Sequence, residues 1–161
     1  MYLRLASVLA LAIAAPAAAK DSLGIFGDWG AFRDPAAPRC YAIAKAAPSR
    51  MQRDYDPYAS VGTWPRRKIR GQVHFRLSRA LNAERDITLI INDRRFALIG
   101  GGGDAWAQDK AMDAAIVAAM RSGAQMVINA TDARGRRFSN TYDLTGAATA
   151  MDAATVGCAR L

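Results

Sequence analysis

The sequence predicts an α+β domain dominated by antiparallel strands, a sandwich or open barrel of about seven strands with two helices packed on it. Short segments alternate apolar and polar residues between turn signals, as Val73, Phe75 and Leu77 do against Gln72, His74 and Arg76. Two other segments, 109–121 and 145–158, repeat their apolar residues at helical spacing. The two cysteines, Cys40 and Cys158, stand far apart in the chain, so a bond between them would tie its first strands to its last element.

Residues 1–19 read as a secretory signal peptide. Arg4 supplies the positive start, Leu5 to Ala15 an apolar run, and Ala17-Ala18-Ala19 a small-residue cleavage site. The run is short for a membrane span; an uncleaved anchor is the competing reading. Residues 20–161 then make a single exported β-rich domain, with no transmembrane segment in the mature chain. Export gives the isolated cysteine pair the meaning of a disulfide, against the alternative of two buried free thiols.

The formal net charge is +8, carried mainly by arginine. Export argues against nucleic acid as a partner. Anionic lipid, lipopolysaccharide or acidic wall polymers are the natural counterparts of such a charge.

In order, residues 24–33 read as a first strand, ended by Asp34-Pro35-Ala36-Ala37-Pro38, and Cys40 to Ala44 as a second. From Ala46 to Lys68 no period is visible. Three prolines punctuate a long loop holding Tyr55, Tyr58 and Trp64, which runs into Arg66-Arg67-Lys68-Ile69-Arg70. Aromatics interleaved with cations suit an anionic or sugar-bearing surface. Alternatively, the aromatics pin the loop to the sheet and the charges are merely solvated.

Residues 72–79 alternate as a half-buried strand, followed by a hairpin, 86–92 and 95–99, around Asn92-Asp93. The glycine run 100–103 lacks a phosphate-binding motif and reads as a flexible connector leaving the sheet. Asp109 caps a helix through Arg121, with Met112, Ala115, Ile116, Ala119 and Met120 on its apolar face, Asp113 outside it, and Gly123 as its stop. Residues 126–130 and 137–144 pair as a hairpin. Thr145 is placed to cap the last helix, whose stripe runs Ala147, Met151, Ala154, Cys158.

Catalytic chemistry finds little support. His74 is the only histidine; it lies mid-strand among outward-facing residues with no G-x-S-x-G in the chain, and reads as an exposed bystander. Its count argues against a histidine-rich metal site. Asp104, Asp109 and Asp113 are the remaining carboxylates for acid–base work, but capping and solvation account for them. No catalytic residue, metal ligand or cofactor is assigned.

Phe26-Gly27-Asp28-Trp29, followed by Cys40-Tyr41-Ala42-Ile43, resembles the opening of the invasion-associated locus B family of exported bacterial proteins. The second half is similar to that family in order and kind: Phe96 to Leu98, Ala107 to Met120, and Tyr142-Asp143-Leu144-Thr145-Gly146 with an alanine-rich tail. The chain departs from the family at Phe32 and Arg33, where members commonly carry a cysteine, and at Ala147, where they often carry phenylalanine. The resemblance implies a β-rich periplasmic or surface-associated protein, from a family with no established catalytic activity. The expectation is therefore a non-enzymatic envelope protein binding an anionic component through Tyr55, Tyr58, Trp64, Arg66, Arg67, Lys68 and Arg70. The alternative is an inhibitor or chaperone-like partner of another envelope protein.

Overall fold

The computed structural model describes residues 20–159; the signal peptide read in residues 1–19 lies outside them. The strands are β1 (Asp21–Phe26), β2 (Trp29–Asp34), β3 (Arg39–Lys45), β4 (Tyr58–Trp64), β5 (Ile69–Arg76), β6 (Ile87–Ile91), β7 (Arg94–Gly101), β8 (Asp104–Trp106), β9 (Gln125–Thr131) and β10 (Arg137–Asp143). Helix α1 (Lys110–Ser122) separates β8 from β9, and α2 (Ala147–Cys158) follows β10. One open antiparallel sheet holds all ten strands, in the order β1-β2-β3-β4-β5-β8-β7-β6-β9-β10.

The count is ten where about seven were expected, and each added strand has a local cause. The stretch 24–33 splits at Gly27-Asp28, with Gly27 at φ 58, so Phe26 and Trp29 face each other across a hairpin. Strand β4 lies within the supposed loop. Its buried positions are Ala59, Val61 and Gly62, too small to give a clear apolar period. The glycine run is a hairpin turn and not an exit from the sheet. Gly100 and Gly101 complete β7, Gly102 turns at φ 61, and β8 returns with Trp106 opposite Ile99.

The sheet curls so that its last strand meets its first half across the core. Tyr142 of β10 is fully buried, its ring 6.3 Å from that of Phe75 in β5. The Ala47 N–H donates to the Thr141 carbonyl (2.7 Å), and the Ser78 N–H to the Asn140 side-chain oxygen (2.9 Å). Trp29, Leu77, Leu89, Ile91, Met126 and Ile128 fill the interior between these strands.

Helix α2 covers β1 to β4 with a stripe of small residues, Ala147, Ala150 and Ala154, plus Met151. In its last turn Cys158 is bonded to Cys40 of β3, with the Cα atoms 5.7 Å apart. The helix opens at Gly146 and not at Thr145. Gly146 adopts φ 85, and no side chain caps the first turn. The Thr145 N–H is drawn instead onto the Asp143 carboxylate (2.7 Å), which holds that residue in the preceding turn. This turn interlocks with the β1–β2 turn. The Trp29 indole N–H donates to the Asp143 carbonyl (2.8 Å), while Gly27 and Gly146 pack directly against the backbones of Thr145 and Phe26.

Helix α1 starts as expected, with the Asp109 carboxylate accepting from the Met112 N–H (2.8 Å). It lies along β5 where β8 stops. Strand β8 pairs with β5 only over His74, Phe75 and Arg76, so the Val73 N–H would be an orphan on a bare edge. Asp113 fills that role, accepting it at 2.8 Å from a buried position. The expectation that Asp113 stands outside the packed face is therefore corrected. Gly123 ends the helix at φ −82 by donating to the Ala119 carbonyl, without a left-handed turn.

Burial pushes the Asp113 pKa up; the Val73 N–H opposes this, and the nearby Asp109 carboxylate adds to it. The carboxyl is thus harder to ionise in the fold than in the unfolded chain. Its contribution is most favourable below the ordinary carboxylate pKa of 3.8 and declines as pH rises through the raised value. Asp113→Asn keeps the acceptor and removes the titration, so in urea unfolding at neutral pH it should match or exceed the parent. Asp113→Ala strips the acceptor and should cost about 1–3 kcal/mol. Equal damage from both would refute the acceptor role.

Asp132 in the β9–β10 turn behaves oppositely. Burial works to raise its pKa, but the Arg136 and Arg134 N–H groups and the guanidinium groups of Arg79 and Arg136 outweigh it and hold the carboxyl well below 3.8. Stability from this cluster is present above the ordinary carboxylate range and is lost as pH falls toward the lowered value.

Candidate functional site

The basic segment is the tip of a tight β4–β5 hairpin. Trp64 ends β4, Pro65–Arg67 form one 3-10 turn, and the Lys68 N–H returns to the Pro65 carbonyl (3.0 Å). Proline at the first position of the turn has its φ already set and needs no donor there. Lys68 closes the turn at φ 55, a left-handed conformation unusual for a residue with a side chain. Arg66, Arg67, Lys68 and Arg70 are exposed, and none joins an ion pair among the described residues.

Behind this tip lies a platform that the sequence did not reveal. The Trp64 ring covers Gly62, where a Cβ would come within 2.7 Å of it. The Arg39 guanidinium sits 4.6 Å from the Tyr41 ring centre and 5.9 Å from that of Trp64, and Tyr41 stacks on Phe32 at 5.7 Å. Arg39 and Tyr41 are distant from Trp64 in the chain, so only strand pairing brings them together.

Tyr55 and Tyr58 are elsewhere. Tyr58 opens β4, six residues from Trp64, and an extended strand puts roughly 20 Å between them. It meets the His74 ring edge-on at 5.6 Å, and His74 stacks on Trp106 at 5.2 Å. Asp104 lies 3.0 Å from the His74 Nε2 and accepts from Arg76 (2.5 Å), whose guanidinium covers the Tyr55 ring at 3.9 Å. His74 is therefore half-buried inside a polar–aromatic cluster and is not an exposed bystander. The seven residues grouped by sequence divide in two: Trp64, Arg66, Arg67, Lys68 and Arg70 converge at one end of β4, with Tyr55 and Tyr58 at the other. The three candidate carboxylates also separate, Asp104 in this cluster, Asp109 capping α1 and Asp113 on the β5 edge.

Beside the hairpin a cleft of about 410 Å³ opens between the two helices and the ends of β4 and β5 nearest the turn. Val61 and Gly71 form its floor, Val117 of α1 one wall, and Met151, Ala154 and the disulfide at Cys158 the other. A β-bulge shapes it: Gly62 pairs with Gln72, yet Trp64 pairs with Ile69, which leaves one extra residue in β5. Gly71 takes φ 64 at this bulge, and its freed N–H donates to the Thr63 hydroxyl (3.3 Å). Strict alternation would put Arg70 and Gly71 on opposite faces, but both border the cleft. A glycine within a strand pattern is the sequence signal for such a bulge.

Among the described residues, no helix is long and apolar enough to cross a membrane, and no group of three or more His, Cys, Asp or Glu could hold a metal ion. No curated protein and no solved structure matches the chain. The model of one protein family, described as invasion associated locus B (IalB) protein, matches residues 62–155, from the middle of β4 almost to the end of α2. That is more than half of the sequence, and the chain belongs to the invasion associated locus B family.

Proposed function

We propose that this protein is a non-enzymatic component of the bacterial envelope, exported to the periplasm, that binds an anionic surface through its β4–β5 hairpin. Family membership and the signal-like residues 1–19 support the location. The observation that carries the binding reading is the concentration of four cations without ion-pair partners in residues 66–70, beside the half-exposed ring of Trp64. Unpaired cations on a tight turn meet an anionic surface with little rearrangement and no internal pair to break. Anionic lipid or the phosphates of lipopolysaccharide supply that surface.

Each Lys or Arg near an anionic membrane contributes ~1 kcal/mol, so removing four should weaken binding by roughly a thousandfold. Co-sedimentation of the oxidised protein with anionic vesicles measures this. Binding should fall steeply with salt, and alanine at Arg66, Arg67, Lys68 and Arg70 together should abolish it. Unchanged binding by that variant rejects the site.

A second reading, partnership with another envelope protein, draws on the sheet face away from α2. Register sets Ile25, Ile43, His74, Trp106 and Ile99 in one row there, with Ile25 and Ile99 well exposed. A protein that co-purifies from envelope and is released by Ile25→Asp or Ile99→Asp would favour it.

A further inference from the structure

We propose that the cleft between α1 and α2 is a binding site for a single-chain anionic amphiphile, a long-chain carboxylate whose head pairs with Arg70 and whose chain lies between the helices. This rests on the reading of the basic hairpin as an anion-binding element. The volume, about 410 Å³, falls in the range of roughly 300–1,000 Å³ that small-molecule sites occupy.

The lining separates into an apolar trough and a cationic mouth. Val61, Val117, Met151 and Ala154 offer only hydrocarbon and thioether surface, and the sulfur of Cys158 carries no proton. Of the two threonine hydroxyls at the cleft, Thr155 spends its proton on the Met151 carbonyl (2.8 Å), while Thr63 accepts from the Gly71 N–H and keeps its own O–H to donate. Both charged side chains of the lining are arginines. Arg121 is matched by Asp152 at 2.6 Å, which leaves Arg70 as the unmatched charge. Charge recognition therefore falls to the Arg70 guanidinium, with the Thr63 O–H as a further donor, and the complement of both is an anion. The cleft's volume of about 410 Å³ lies at the small end of the range for small-molecule sites, which suits a single acyl chain over a two-chain lipid.

The bulge makes the site a built feature and not a packing gap. It turns Arg70 to the cleft mouth and places at the floor a residue without a side chain, where an added Cβ would touch only Val117, at 3.9 Å. Arg66, Arg67 and Lys68 stand on the adjoining turn, where they would draw such a ligand from an anionic surface.

Titration calorimetry with dodecanoate, below its micelle-forming concentration, tests the assignment on the oxidised protein, with dodecanol as the uncharged control. Dodecanoate should bind in preference to dodecanol, and Arg70→Ala should weaken it about tenfold or more. Val117→Trp, which fills the trough from a half-exposed position, should abolish dodecanoate binding and leave binding to anionic vesicles intact. Should that variant fail to fold, Thr155→Phe blocks the same trough from an exposed position. The triple variant Arg66→Ala, Arg67→Ala, Lys68→Ala should do the reverse, weakening vesicle binding while dodecanoate still binds. Equal binding of dodecanol, or dodecanoate binding that survives the trough-filling variant, overturns the cleft assignment. No dodecanoate binding with vesicle binding intact overturns the cleft alone; loss of both in the parent protein overturns the hairpin reading as well.

Discussion

Breaking the Cys40–Cys158 bond should lower the unfolding free energy by about 2–5 kcal/mol, a large share of the ~5–15 kcal/mol typical of a domain. The bond spans 118 residues, and by chain entropy a loop of that length contributes about 5 kcal/mol through its effect on the unfolded chain. The staple matters more here because α2 has little else to grip with. Its buried face is mostly alanine, and each methyl removes little apolar area from water. Close packing compensates in part, since Ala31 and Ala42 of the underlying strands are equally small and fully buried. The double variant Cys40→Ala, Cys158→Ala, unfolded in urea, should show the full loss, with α2 the first element to gain amide exchange. Stability within about 1 kcal/mol of the parent would mean that packing alone holds the helix.

Gly146→Ala should be as damaging, by on the order of 3 kcal/mol or more, from two additive causes. Gly146 sits at φ 85, where a side chain is strained, and a Cβ built there overlaps the Phe26 carbonyl. The backbone cannot yield without separating the β10–α2 turn from the β1–β2 turn, and with it the Trp29 indole from the Asp143 carbonyl. Gly135→Ala is the matched control. Gly135 has φ 79 but open space around its Cβ direction, so it should lose only the backbone strain, about 1–2 kcal/mol. Similar losses at both positions would show that the interlock adds nothing.

Two of the sequence motifs behind the family resemblance, Phe26 to Trp29 and Tyr142 to Gly146, turn out to be the two halves of that interlock. Neither signals its partner, since each is short and their contact is nonlocal. Features set by local periodicity were readable: the α1 stripe and its Asp109 cap, the hairpin around Asn92, the β9–β10 pair, and the cysteine on the α2 stripe. What depends on a neighbour's ending was not. Asp113 looks like an ordinary exposed helix residue until β8 stops short and leaves the Val73 N–H unmet. Strand β4 was hidden because small residues bury without raising hydrophobicity, and its extension is what parts Tyr58 from Trp64. The cleft depends on a one-residue bulge at Gly71, which a pattern of alternation does not record.

The reading of the hairpin as the anion-binding element is tested most directly by following backbone amide signals of the oxidised protein during titration with anionic lipid nanodiscs. Residues 64–71 should shift or broaden first, with effects spreading to the cleft walls around Val117 and Thr155, and salt should reverse them. Changes centred on Tyr55, Tyr58, His74 and Trp106, with the hairpin tip unmoved, would contradict it.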